Sequence, residues 1–246
     1  MIHDNPSRRN RAPAEGETDG SVLIERLHAV SPIRAAGRTL AARMNAVGYR
    51  EALKDYLRAN ALPREKFSHQ PRLYHLACQV GAGTDYDDDV LFAAAWLHDI
   101  GVFVGHRPED PALLVVWDHL AYALRVVPGI LAANGFPADK IPAVLEAIRT
   151  HLPSAEPTTL EGTLLRDADT LEQLGAVGIL RTVCKIGRDT RFAIFPDALK
   201  SLQRALETLP AKLQTASARQ LAAPRVAILQ AFLAAAQAEG VQSDEG

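Results

Sequence analysis

The sequence predicts an all-α fold, a single-domain bundle of many helices, from three observations. Apolar residues recur at three- and four-residue intervals along nearly the whole chain. Stretches alternating apolar with polar residues, as half-buried strands do, are almost absent. Proline, glycine and capping residues mark the joints between the periodic segments. Of the 246 residues, 48% are hydrophobic and 23% charged, enough apolar material for a substantial core. No Pro/Gly/Ser-rich linker breaks the pattern after about residue 20, so one domain is expected.

The elements follow in order. Residues 1–20 combine charge, proline and glycine with no apolar run, and are expected to be a disordered tail. Ser31-Pro32 supplies an N-cap and a proline for the first turn of a helix reaching about Val47, and beyond Gly48 another runs to about Asn60. Pro63 and Pro71 frame a short connection to a helix through LYHLACQV that ends at Gly81 and Gly83. The segment DDDVLFAAAWLHDIG opens a helix at about Asp87. Its acidic residues complement the helix dipole as a solvated cap, and Gly101 follows its end. Further helices are expected over 112–134, 138–151, 160–185 with a bend near Gly175 or Gly178, and 196–238 in pieces broken near Pro210 and Pro224.

Composition excludes several functions. A formal net charge of −2 offers no basic surface for polymeric nucleic acid. Cys78 and Cys184 stand alone, without CxxC spacing, and are expected to be buried free thiols. No run reaches 18 uninterrupted apolar residues, so no membrane span and a cytoplasmic location are expected.

Eight histidines make the chemistry legible. His98-Asp99 closes the very apolar segment VLFAAAWL, where burying a carboxylate beside an imidazole is costly without a compensating cation. A divalent metal provides that compensation, and imidazole with carboxylate suits manganese, iron, zinc, cobalt or nickel. Further ligand types stand near other helix ends or on apolar stripes: His69, His119, His151, and Asp167 and Asp169 in LLRDADTLEQLGAVGILRT. His3 and His28 are expected to be incidental.

The order His, His-Asp, Asp on successive helices resembles the HD-domain metal-dependent phosphohydrolase superfamily. HQPRLYHLA is similar to its first-histidine helix, and LLRDADTLEQLGAVGILRT to the closing motif of small bacterial HD hydrolases acting on nucleotides. The resemblance covers about 65–185 and implies an HD-domain bundle. Its parts would be N-terminal helices at 21–64, a metal-binding core at 65–185 and C-terminal helices packed on it at 186–240.

Carried over residue by residue, the resemblance implies a first metal held by His69, His98, Asp99 and Asp169. His75 is the alternative to His69, and Asp167 to Asp169. His119 and His151 would hold a second metal bridged by Asp99, so one or two divalent ions are expected, magnesium among the candidates. Asp99, His119 and His151 are the candidate catalytic residues. Arg72, Arg181, Lys185 and His106, the last in the loop GHRPEDP with Arg107, are candidates for substrate phosphate, since cationic donors suit phosphate oxygens. Val102 and Phe103 stand where some mononuclear HD nucleotidases place a catalytic glutamate, which leaves His119 or a metal-activated water as general base.

The implied activity is hydrolysis of a phosphate ester or anhydride of a nucleotide or small phosphorylated metabolite. Two alternatives are a mixed-valent di-iron oxygenase of the HD type and a nucleotide-binding regulatory module without turnover. The amphipathic segment after about residue 195 is expected to pack on the catalytic helices or to pair with a second subunit as a homodimer.

Overall fold

A computed structural model of the chain describes residues 48–64, 68–189 and 191–240. These belong to one unit spanning Asn45–Gly246. The expected tail, the helix to Val47, His3 and His28 lie outside the described residues.

The regular elements of the described residues are helices, as periodicity predicts, with no β-strand among them. Helix α1 covers 48–60. It is followed by α2 (His69–Val80), α3 (Asp88–Leu97), α4 (Pro111–Val115), α5 (His119–Ala133), α6 (Ile141–Arg149), α7 (Leu160–Glu172), α8 (Gly175–Val183), α9 (Phe195–Thr208) and α10 (Ala216–Ala238). Single 3-10 turns occupy Ile100–Val102, Ala138–Lys140 and Pro210–Lys212.

Helix α3 is the axis. Every residue from Val90 to Leu97 is buried, so the helix is apolar all round, the signature of an element enclosed by neighbours. Helices α2, α5, α6 and α7 pack around it. Leu91, Phe92 and Leu97 fill the layer they share, where truncating one leucine to alanine costs about 2–5 kcal/mol. Helices α8, α9 and α10 pack on one another, and α10 continues onto α7 and α2.

The acidic residues opening α3 do more than cap it. The Asp87 carboxylate accepts from the backbone N–H groups of Asp89 and Val90. Asp88 and Asp89 pair with Arg50 of α1, both at 2.8 Å, and Lys140 reaches Asp89 at 2.8 Å. Tyr74 donates to Asp88 at 2.7 Å, and Tyr49 donates to Asp89. The expected solvated cap is thus a network tying α1, α2 and the turn before α6 to the central helix.

Three other expectations are corrected. The segment 112–134 is two helices, because Asp118 caps a new one by accepting from Ala121 N at 2.9 Å. Pro224 does not break the last helix; it lies within α10, where the Arg225 guanidinium donates to Leu221 O at 2.7 Å. Cys78 is half-buried and Cys184 exposed, the latter because it follows the end of α8. Among the described residues, Ala216–Ala238 is a helix long and apolar enough to cross a membrane, with a mean hydropathy of 1.3. It carries Arg219 and Arg225 and packs through Ala218, Ala222 and Leu229.

Burial opposes ionisation of Asp89, but the bonds from Lys140, Tyr49 and Arg50 outweigh it and hold its carboxyl at about 2, below the ordinary 3.8. A depressed folded-state value means that this stabilisation is complete above about pH 4 and is lost as pH falls toward about 2. Asp89→Asn should lower stability at neutral pH by about 1–2 kcal/mol, the shift being discounted for solvent screening. Thermal melts of variant and wild type should converge as the pH is lowered through that window. A gap that stays constant with pH would remove the network from this role.

Candidate metal centre

The centre forms where α3 ends. His98 is the C-cap of α3 and retains helical backbone angles, whereas Asp99 turns to φ −100°, ψ 18° before the 3-10 turn. Asp99 thereby occupies the sparsely populated bridge region where many active-site residues sit. His98 is 1% exposed, and its Nδ1 faces Ala95 O at 3.0 Å. That carbonyl can only accept, so Nδ1 carries the hydrogen and Nε2 presents a bare lone pair.

His69 stands in the first turn of α2, and its Nδ1 meets the Glu172 carboxylate at 2.8 Å, which likewise leaves Nε2 bare. The two Nε2 atoms lie 3.3 Å apart. Asp99 Oδ2 is 3.6 Å from His98 Nε2 and 3.9 Å from His69 Nε2, and Asp169 Oδ1 approaches His69 Nε2 at 3.8 Å. Asp169 lies within α7, where Gln173 donates to its backbone carbonyl at 3.2 Å.

The other oxygen of Asp99 faces a second group. His119, the first residue of α5, brings Nε2 to 3.9 Å from Asp99 Oδ1. His151 follows the end of α6, buried, with Nδ1 2.6 Å from Ile148 O and its ring centroid 5.0 Å from that of His98. Asp99 therefore belongs to two ligand groups, one with His69 and His98 and one with His119 and His151, the donor atoms of each lying within 4.8 Å of one another.

Small backbone features hold this arrangement. A Cβ on Gly101 would stand 2.6 Å from His119 O and 2.9 Å from its Cα, so the missing side chain lets the turn after Asp99 lie against the start of α5. Gly101 O also accepts the Trp117 indole N–H at 2.8 Å. The loop after His151 is braced by Arg166, which donates to Pro153 O at 3.0 Å.

Electrostatics agree with a cation site. Burial lowers the pKa of His98 to about 4 despite the opposing charge of Asp99, so its imidazole stays neutral at physiological pH. Burial raises the pKa of Asp99, but His98, His69, His151 and His119 overcome that and hold it well below the carboxylate range. Bare imidazole nitrogens converging with carboxylate oxygens repel one another unless a positive charge lies between them. The nitrogen and oxygen donor set suits a divalent transition metal.

The structure thus brings together His69, His98, Asp99, Asp169, His119 and His151. Asp167 faces away, fully buried, and accepts from Gln214 N, Thr215 N and Thr215 Oγ1 at 2.8–2.9 Å, fixing α7 to the start of α10. His75 is exposed and bonds to Gln79 at 3.1 Å. Arg72 and Arg181 reach the centre through Glu172, an acidic residue that sequence reasoning did not single out. Its signal was its spacing, three residues after Asp169 and hence one turn along α7. Lys185 follows α8, and burial together with the nearby charges of Arg181 and Arg191 lowers its pKa. His106 bonds to the Tyr122 hydroxyl at 2.9 Å in the loop leaving the centre.

Residues 67–174 match the HD domain family. Helices α2 to α7 of the all-α bundle lie within that match. Among solved structures, the chain is similar to an HD-superfamily hydrolase from Bacillus thuringiensis, with 21% identity over 80% of this chain and 97% of that one and a TM-score of 0.58. It is also similar to a predicted HD-superfamily hydrolase from an uncultured Thermotogales bacterium, with 27% identity, 80% and 91% coverage and a TM-score of 0.50. A third is YpgQ of Bacillus subtilis in complex with ADP, with 20% identity, 79% and 100% coverage and a TM-score of 0.58. No curated protein matches.

Gly101→Ala is expected to destabilise the fold by about 1–3 kcal/mol, the usual cost of overpacking against backbone. It should also weaken occupancy of the His119 group more than that of the His69 group. Thermal melts and metal titrations of the variant check both. A variant as stable as wild type would show that α5 can shift without cost.

Proposed function

We propose that this chain is a metal-dependent hydrolase that cleaves a phosphate ester or anhydride of a nucleotide or small phosphorylated metabolite. The observation that carries this reading is Asp99, whose two carboxylate oxygens face separate groups of histidines. His69, His98, Asp99 and Asp169 would hold a first divalent ion, and Asp99, His119 and His151 a second. Such ions polarise a phosphoryl oxygen, lower the pKa of water and orient the two for in-line displacement.

The chain's own residues divide the remaining work. The side chain of His119 is 33% exposed and that of Asp99 21%, whereas those of His69 and His98 are 10% and 1%. With only the first ion bound, Nε2 of this partly exposed His119 carries no metal, which makes His119 the candidate acceptor of the water proton. Arg72 and Arg181, paired with Glu172 beside His69, offer planar donors that match phosphate oxygens, and Lys185 adds a point charge. The complex of the similar Bacillus subtilis YpgQ with ADP supports a ligand carrying phosphate groups.

The test is phosphate or pyrophosphate release from nucleotides and small phosphate esters with added manganese. Asp99→Ala should abolish turnover, and His119→Ala should lower it about 100-fold or more if it is the general base. Wild-type turnover that persists in Asp99→Ala would come from a contaminant. No turnover with any substrate would overturn the hydrolase, and two bound irons with oxygen consumption would replace it with an oxygenase.

A further inference from the structure

Glu172 is a buried carboxylate to which the chemistry above gives no part. It is 4% exposed and lies on α7 one turn beyond Asp169. Its Oε2 accepts from His69 Nδ1 at 2.8 Å and from Arg181 Nη1, and its Oε1 accepts from Arg72 Nε at 3.0 Å. Arg181 Nη1 is also 3.2 Å from His69 Nδ1, so an imidazole and a guanidinium share one oxygen. Arg72 and Arg181 remain 41% and 33% exposed at the side chain, with Arg72 committing only Nε to this bond.

Three donors on one buried carboxylate have two consequences. A carboxylate can only accept, so the hydrogen of neutral His69 is drawn to Nδ1 and the lone pair at Nε2 is left facing His98, Asp99 and Asp169. Both guanidinium groups are also fixed on the flank of the ligand cluster, their remaining donors directed by a common anchor rather than by solvent.

We propose that Glu172 is the positioning residue of the centre, setting His69 in the tautomer whose Nε2 can bind a metal and anchoring Arg72 and Arg181 beside it for an anionic ligand. This rests on reading the cluster as a metal centre. It also links the two ligands. An anion that draws Arg181 away leaves Glu172 more strongly bonded to His69, so anion and metal strengthen each other's binding through Glu172.

The experiment compares wild type with Glu172→Ala and Glu172→Gln. The glutamine keeps the size of the side chain, but with its oxygen toward His69 and Arg181 its amide N–H2 meets the donating Arg72 Nε, and turned the other way the amide meets His69 and Arg181. Manganese alone is titrated by calorimetry, with and without inorganic phosphate, and histidine tautomers are read from long-range proton–nitrogen NMR spectra of the metal-free protein. Wild type should show His69 protonated at Nδ1. Both variants should bind manganese about 10–100-fold more weakly, the usual effect of losing such a partner. His69 should shift toward protonation at Nε2 in Glu172→Ala, and phosphate should no longer enhance manganese binding. Unchanged manganese affinity and tautomer in a folded Glu172→Gln would overturn the proposal, so it stays testable even if Glu172→Ala does not fold. If wild type binds no manganese, the metal reading fails, while the tautomer measurement still decides what Glu172 does to His69.

Discussion

Two imidazole nitrogens with bare lone pairs stand 3.3 Å apart at the end of a buried apolar helix, with the carboxylates of Asp99 and Asp169 beside them. Nothing within that group of atoms attracts the others, because each is an acceptor. The arrangement is held from outside, by the Ala95 carbonyl behind His98, the Ile148 carbonyl behind His151 and Glu172 behind His69. In these three histidines the outward-facing ring nitrogen is occupied as a donor, so the inward-facing one is an acceptor. The protein concentrates electron pairs at one point, and only a cation makes that favourable.

The bundle provides the rigidity this requires. The candidate ligands come from α2, the end of α3, the start of α5, the end of α6 and the last turn of α7, so no short segment could assemble them. Helix α3 is buried on all sides, which places His98 and Asp99 at the meeting point of the surrounding helices. Close approach is achieved with small residues where backbones cross, Gly101 against His119 being the clearest case. At the far end of α3 the Asp88–Asp89 network fastens α1, α2 and the turn before α6 to the same helix. The two ends of one helix therefore carry two kinds of polar cluster. The charges of one are balanced by arginine and lysine, whereas the other lacks that internal balance.

Sequence reasoning reached the helices and the residue types of the centre because both leave local traces. His98-Asp99 after an eight-residue apolar segment is anomalous on solvation grounds alone. The separation of Asp169 from Asp167 was harder, since two residues on one turn point to opposite faces of the helix and the sequence does not say which face the histidines occupy. It was decided by which neighbour each faces, His69 or the start of α10. Arg72 and Arg181 could be marked as cations near the motifs, but not as partners of a shared carboxylate. Residues 72, 172 and 181 meet only after α2, α7 and α8 pack.

The sequence by itself determined the helical class, most helix limits and the candidate metal-ligating residue types, because periodicity, capping and the cost of buried charge act within one or two turns of chain. Tertiary structure alone decided that Asp99 faces two ligand groups, that His75 stays outside, that Pro224 is carried within a helix and that Glu172 stands behind His69. These depend on distances between residues far apart along the chain. Only the packing of helices around α3 sets such distances.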